Sequence, residues 1–125
     1  MTPQEEIKST LATMFAQWNG EDQASYLTHY WKSEELRWSM KGVWYKGWSS
    51  MYSVYGQDYQ PGAMGVIALF DVEVMMLADD LGIALYEWTH NTPREKVAGC
   101  TSQVFRKFDG AWLVVHENSA RKPAS

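Results

Sequence analysis

The sequence is poor in cysteine and in positive charge, and each shortage argues against a class of function. Cys100 is the one cysteine among 125 residues, which excludes an intrachain disulfide and a cysteine metal cluster. Eleven basic residues stand against fifteen acidic ones, so the formal net charge is −4. Because binding to nucleic acid is driven by basic surface, this balance predicts no nucleic-acid partner.

Long apolar runs and phosphate-binding loops are also missing. No apolar run is longer than that from Val66 to Phe70, which is too short to span a bilayer, so no membrane partner is expected. No glycine-rich phosphate loop and no metal-ligand spacing of His, Asp or Glu occurs, which predicts neither a metal nor a cofactor. The first residues are polar and acidic, unlike a signal peptide, and together with the single cysteine they predict a cytoplasmic protein.

Aromatic side chains are abundant instead. The chain carries seven Trp and seven Tyr, whose large contact area and polar tips suit pockets and interfaces. A length of 125 residues predicts one domain, which we place at residues 1–120, with 121–125 as a C-terminal tail.

The periodicity of apolar residues changes once along the chain. Spacings of three and four predict three helices, which begin near Thr2, Asp22 and Gly47. A short hairpin around Lys41-Gly42 is expected between the second helix and the third. From Ala63 onward the period is two, which predicts four long strands: 65–77, 83–91, 97–108 and 111–119. Helices followed by strands with short turns predict an α+β fold with an antiparallel sheet.

Strand alternation assigns side chains to the two faces of the sheet. The even positions from Val66 to Met76 are all apolar and are predicted to face the helices. A two-residue or four-residue turn at Asp79-Asp80 then places Glu87 inward. The same turn predicts an outward position for Tyr86, Trp88 and His90.

The last hairpin has two possible registers, and the sequence leaves both open. A two-residue turn at Asp109-Gly110 is one, and a type I turn with Gly110 as a bulge is the other. The bulged register places Gln103, Glu117 and Ser119 on the inner face. It leaves Trp112, Val114 and His116 outside, whereas the other register could make His116 a catalytic residue.

Three stretches resemble the nuclear-transport-factor-2-like superfamily: Trp18 to Asp22, Gly47 at the start of a helix, and Phe105 to Ser119. They are most similar to the SnoaL-like branch and to the association domain of calcium/calmodulin-dependent protein kinase. The resemblance implies a cone-shaped, curved antiparallel sheet wrapped around about three helices, with a central pocket and usually a dimer. It also favours the bulged hairpin register. Because this superfamily contains isomerases, dehydratases, hydrolases and non-catalytic binders, the resemblance does not define a function.

The chain departs from the patterns of this superfamily at its end and in its pocket. Asn118 stands where a second histidine often follows His116, and Ala120 stands where the family often has serine. The kinase branch places arginines in its pocket, and the corresponding positions here are Glu87, Gln103 and Ser119. An anion-binding pocket of that type is therefore not expected.

Two carboxylates are the candidate catalytic residues. If Glu87 and Glu117 both face an apolar cavity, desolvation and mutual repulsion raise at least one pKa, as a general acid or base requires. The alternative is that one or both lie at the rim or point outward, solvated or paired with Arg37 or Arg106.

Ligand-binding candidates are aromatic or polar residues predicted to face the cavity. A phenol can orient a carbonyl group or stack on a ring, although core packing explains a buried aromatic residue equally well. The candidates are Trp18, Tyr26, Met51, Tyr52, Tyr55, Gln103 and Ser119.

The sequence is compatible with three functions. The first is a domain that binds a small apolar or aromatic molecule. The second is a cofactor-independent enzyme of isomerase, cyclase or dehydratase type, with a pocket Glu as general base. The third is a non-catalytic homodimeric assembly domain, paired sheet against sheet through an apolar outer face that is predicted to carry Ile67, Leu69, Met75 and Val114.

Overall fold

Local capping signals determine where the helices begin. In the computed structural model, which describes residues 1–123, the Thr2 hydroxyl accepts from the Glu5 N–H at 3.1 Å and the Glu5 carboxylate accepts from the Thr2 N–H at 2.9 Å. This capping box, followed by Pro3, starts a helix with a buried apolar stripe. Asp22 caps the second helix by accepting from the Ser25 N–H at 3.2 Å. The helices are α1 Pro3–Asn19, α2 Gln23–Leu27 and α3 Trp48–Asp58.

A twisted, curved sheet covers these helices. Within the described residues its strands are β1 Arg37–Met40, β2 Val43–Lys46, β3 Val66–Ala78, β4 Leu81–Asn91, β5 Lys96–Phe108 and β6 Ala111–Arg121. Their order is β2-β1-β6-β5-β4-β3, and β1 pairs with β6 in parallel while the other neighbours are antiparallel. The predicted α+β fold, with about three helices inside a curved sheet, is confirmed.

A bulge beside the Asp79-Asp80 turn reverses the predicted faces of β4. Ala78 pairs with Leu81, but Met76 pairs with Gly82, so Leu77 is the extra residue. Because one inserted residue changes the parity of the pairing, the even positions of β4 face the helices. The prediction that Glu87 faces inward is therefore wrong, and so are the outward positions predicted for Tyr86, Trp88 and His90.

A second bulge, at Asp71, divides β3 into two halves. Asp71 has a φ of 53°, and the pairing shifts between Phe70 opposite Glu87 and Glu73 opposite Leu85. Beyond the bulge the even positions of β3 face inward, as predicted. Before the bulge the odd positions face inward instead. Ile67 and Leu69 accordingly pack against the core rather than on the outer face.

The last hairpin combines the two registers that the sequence left open. Phe108 pairs with Ala111 across a two-residue Asp109-Gly110 turn, and positive φ at both turn residues fits a type I′ turn. A bulge at Val115 then changes the parity farther along the strand. Trp112 and Val114, predicted to face outward, are consequently buried, whereas Glu117 faces inward as the bulged register predicts.

The sheet also defines the end of the described chain. β6 runs to Arg121, one residue into the predicted tail, and the Lys122 N–H donates to the Ala98 carbonyl at 2.8 Å. The rest of that predicted tail includes Ala124 and Ser125, which lie outside the described residues.

Over residues 1–123 no helix has the length and apolar composition that a bilayer span requires. The expected cytoplasmic location stays a prediction.

Candidate functional site

A cavity lies between the helices and the inner face of the sheet. Its volume is about 90 Å³. That is smaller than the ~150 Å³ of an engineered apolar cavity that holds benzene. A ligand of the size of benzene or larger therefore requires side chains to move, or part of the ligand to lie outside the cavity. Nearly half of the lining residues carry an aromatic ring: Phe15, Trp18, Tyr26, Tyr55, Tyr59, Tyr86, Trp88 and His90.

Trp18 is the centre of this aromatic wall. Its ring makes edge-to-face contacts with Tyr26, Tyr55 and Tyr59, at centroid distances of 5.0, 5.8 and 5.1 Å. Its Nε1–H donates to the Met64 carbonyl at 3.1 Å. Such pairs are favourable beyond the area they bury, so Trp18 on α1 holds together rings from α2 and from the C-terminal part of α3.

Glu117 is the buried carboxyl group of the cavity, with 4% of its surface exposed. Its Oε1 accepts from the Tyr30 hydroxyl at 2.6 Å and from Gln103 Nε2 at 2.5 Å. Desolvation raises the pKa of Glu117, although these two hydrogen bonds and the nearby His116 oppose the shift. Because both donors bind Oε1, Oε2 is the oxygen available to a ligand.

The neighbouring tyrosines are neutral hydrogen-bond donors. The Tyr26 and Tyr30 hydroxyls lie 3.1 Å apart, which extends a polar chain from Glu117 through Tyr30 to Tyr26. Burial and the charge of Glu117 raise the pKa of Tyr26, Tyr30, Tyr55 and Tyr86 well above its usual range. The cavity therefore offers phenol groups, not phenolates, at neutral pH.

The amide of Gln103 can hydrogen-bond to Glu117 in either protonation state of the carboxyl group. Its Oε1 is buried without a hydrogen-bond partner among the described residues, while its Nε2 binds Glu117. The opposite orientation of the amide would bring a carbonyl oxygen to the carboxyl group, where a protonated Glu117 could donate to it. The two amide orientations thus match the two protonation states of Glu117.

His90 is a second titratable group in the wall. Its Nε2 lies 2.6 Å from the Met64 carbonyl. Since a carbonyl only accepts, Nε2 carries the proton and Nδ1 is the basic nitrogen. Desolvation lowers the pKa of His90, so the ring is neutral at pH 7.

Five of the residues predicted for the site line the cavity, and two more lie behind it. Gln103 is fully buried against Glu117, and Met51 packs in the core. Ser119 bonds to Thr101 at 2.7 Å between hydroxyl oxygens. The predicted residues in the lining are Trp18, Tyr26, Tyr55, Glu117 and Ser119.

Two predicted site residues lie elsewhere. Glu87 is on the outer face of the sheet, where an ion pair with Lys122 lowers its pKa. Tyr52 is 59% exposed and stacks on Trp48, because it stands one position past the buried stripe of α3 that includes Met51. Neither can contact a ligand in the cavity.

Sequence reasoning missed residues that the bulges turn inward. A glycine within a strand, Gly82, is the sequence signal that the even face of β4 lies close to another element. In the structure a Cβ at this position would lie 2.9 Å from Ile7 Cδ1 of α1. The bulge at Leu77 turns Tyr86, Trp88 and His90 into the lining. Tyr30 beside Glu117 and Tyr59 in the lining, which follow α2 and α3, were missed without a bulge being involved.

Polar side chains outside the cavity already have hydrogen-bond partners within the protein, as His116 and Glu6 show. His116 lies on the outer face, where its Nδ1 is 2.8 Å from the Arg37 carbonyl and its ring stacks on Trp44. A surface depression near the start of α1, of about 450 Å³, is larger than the cavity but open. Its carboxylate, Glu6, is already bound by Lys107 and Trp112. Residues 1–123 contain no group of three His, Cys, Asp or Glu side chains arranged to hold a metal ion.

This architecture is the nuclear-transport-factor-2-like fold, as the sequence resemblance implied. A nuclear-transport-factor-2-like protein of unknown function from Shewanella oneidensis MR-1 has a TM-score of 0.85 at 21% identity, over 92% of this chain and 96% of that chain. A calcium/calmodulin-dependent protein kinase II association-domain-like protein from Xanthomonas campestris gives 0.76 at 15% identity, over 96% and 88%.

An enzyme also shares the fold. The hexachlorocyclohexane dehydrochlorinase LinA-type3 from Novosphingobium barchaimii LL02 has a TM-score of 0.71 at 13% identity, over 95% of this chain and 86% of that chain. No protein-family model matches the sequence, and no curated protein matches it. At these identities the likeness establishes the fold, and the function has to be argued from the cavity.

Proposed function

We propose that this chain binds a small, mainly apolar or aromatic molecule in the cavity, with Glu117 as the polar anchor. The observation that carries the proposal is a buried carboxyl group with one anchored oxygen, set among neutral aromatic side chains. Binding sites of small molecules combine an apolar wall with a few convergent polar groups in this way. A titratable group with a pKa shifted by burial is a further mark of such sites.

Glu117 would select a ligand that carries a hydrogen-bond donor. Its Oε1 is held by Tyr30 and Gln103, so a donor on the ligand would bind Oε2. A hydrogen bond to a charged partner contributes about 1.5–3 kcal/mol, or about 10–100-fold in affinity. Flat rings fit the wall because they can stack on Tyr55 and Tyr86 or meet the edge of Trp18.

A screen of small aromatic and branched aliphatic compounds tests the proposal. Trp18 and Trp88 line the cavity, so ligands that enter it should change the tryptophan fluorescence. We expect Glu117→Gln to weaken donor-bearing hits by about 10–100-fold, because a charged acceptor is lost. The matched control is Glu87→Gln, which changes a carboxylate on the outer face and should leave affinity unchanged. Equal affinities for the wild type and Glu117→Gln would refute the role of Glu117.

A second candidate function is proton transfer by Glu117. Its raised pKa and the fixed position of Oε1 suit a general base, and neutral Tyr26 or Tyr55 could stabilise negative charge on a substrate oxygen. One structural neighbour is named as a dehydrochlorinase, so the fold can accommodate an enzyme. The hits of the same screen, incubated with protein in D₂O, should then exchange a carbon-bound hydrogen, and Glu117→Gln should abolish the exchange. Binding without exchange would leave the first function alone.

We also propose that the chain is a homodimer, paired through the outer face of the sheet. That face exposes large apolar side chains on both edge strands, including Phe70 at 49%, Met75 at 52% and Trp44 at 62%. A monomer rarely leaves such a surface in water, and a second copy presents a matching one.

Sedimentation at micromolar concentration tests the dimer. We expect a dimer for the wild type and a monomer for Phe70→Lys, because a charge on the apolar face would be buried at the interface. Tyr52→Lys is the control, since Tyr52 is at least as exposed as Phe70 but lies on α3. A monomeric wild type would contradict the proposed interface.

A further inference from the structure

The charged residues that line the mouth of the cavity are basic. Among the residues that line the cavity, Lys41, Ala120 and Arg121 are exposed, and the others are buried or half-buried. Both charged groups at the mouth are therefore cations. Glu117, the one acidic residue of the lining, lies at the buried end.

These two cations come from distant parts of the chain. Lys41 belongs to the tight turn between β1 and β2, and Arg121 is the last residue of β6. The Arg121 guanidinium is held by Glu95, with Nη2 and Oε1 3.1 Å apart. Because a guanidinium has five N–H groups, this contact leaves donors for a ligand.

We propose that the ligand of this cavity is an organic acid, whose anionic group binds Arg121 and Lys41 at the mouth while its apolar body lies among the rings. The inference rests on the proposed function, and it adds the chemical class and the orientation of the ligand. A carboxylate is recognised by arginine through two parallel hydrogen bonds, and a lysine adds a second positive charge.

Glu117 determines the orientation. A ligand carboxylate at the buried end would lose its hydration and lie beside the Glu117 carboxyl group, which disfavours a second negative charge there. The acid group is therefore directed outward and the apolar part inward. This orientation also fits the volume, because a cavity of about 90 Å³ then has to hold only the apolar part.

The other charges around the mouth are Arg94, Glu95 and Asp58. Arg94, Asp58 and Glu95 lie close enough to influence the pKa of Tyr59 in the wall. Glu95 partly neutralises Arg121, so an acid has to compete with it. Lys41 forms no ion pair among the described residues and is available to an incoming anion.

Matched acid and amide probes test the proposal directly. Benzoate and phenylacetate would be compared with benzamide and phenylacetamide by calorimetry at pH 7, since each pair differs mainly in charge. We expect the wild type to bind the acids at least about tenfold more tightly. Arg121→Gln and Lys41→Gln should each reduce that ratio, whereas Arg106→Gln, which removes an exposed cation away from the cavity, should not.

The outcomes separate this inference from the proposed function. Acids and amides that bind equally, both weakened by Glu117→Gln, would overturn the acid specificity and leave the binding function intact. A preference for acids that survives both Arg121→Gln and Lys41→Gln would overturn the proposal that Arg121 and Lys41 bind the anionic group of the ligand. If no probe binds, the acid proposal falls, and the broader screen decides the binding function. Lys41 lies in an exposed turn, so its variant should fold even if that of Arg121 does not.

Discussion

Trp18→Ala is expected to lower the free energy of unfolding by about 3–5 kcal/mol, the range for removing a large buried aromatic side chain. Trp18 is almost fully buried and touches rings from α2, α3 and β4. Its removal would also leave the Met64 carbonyl with one donor, His90, instead of two. Denaturant unfolding monitored by circular dichroism measures the change.

The control for this prediction is an exposed aromatic residue away from the proposed dimer face. Tyr52 is 59% exposed on α3, so Tyr52→Ala should change the free energy of unfolding by about 1 kcal/mol or less. If the two variants lost similar amounts of stability, the aromatic wall around Trp18 would not be the centre of the core.

Glu117→Gln is expected to stabilise the protein at neutral pH and to remove part of its pH dependence. The pKa of Glu117 is raised above 4.5 in the folded chain, so the folded state binds more protons than the unfolded state above about pH 4.5. Stability from this group is therefore present at low pH and is lost as pH rises through the folded pKa. Glutamine keeps the acceptor for Tyr30 and Gln103 without the buried charge.

The difference in unfolding free energy between Glu117→Gln and the wild type should consequently grow from about pH 4.5 upward and level off above the folded pKa. Glu87→Gln should behave in the opposite way, because Lys122 lowers the pKa of Glu87 and the stability from that pair is lost as pH falls. Chemical unfolding at a series of pH values separates the two. A Glu117→Gln difference that does not change with pH would contradict a buried, destabilised carboxylate.

Local signals made the elements predictable from the sequence. The capping box at Thr2 and Glu5 and the Asp109-Gly110 turn act within a few residues, so each can be recognised without knowing the rest of the fold. The change from helical to alternating periodicity at Ala63 likewise reflects the face of each element that packs inward.

The faces of the strands were less predictable, because bulges at Asp71, Leu77 and Val115 each change the parity. A bulge depends on how the sheet bends around the helices, which no short segment encodes. Glu87 was therefore placed on the wrong face, whereas Glu117 was placed correctly by a register that holds only beyond Val115. The raised pKa predicted for a pair of carboxylates arises at Glu117 from burial, without the second carboxylate.

The most direct test of Glu117 as the anchor of the cavity is a carbon NMR titration of its side-chain carboxyl group, with and without the tightest-binding hit of the screen. The signal would be assigned by its loss in Glu117→Gln, with Glu87 as an internal reference. We predict a midpoint above 4.5 in the free protein, and a change in both midpoint and chemical shift on binding, at Glu117 and not at Glu87. A midpoint at or below 4.5, or a Glu117 signal that does not respond to the ligand, would contradict the account.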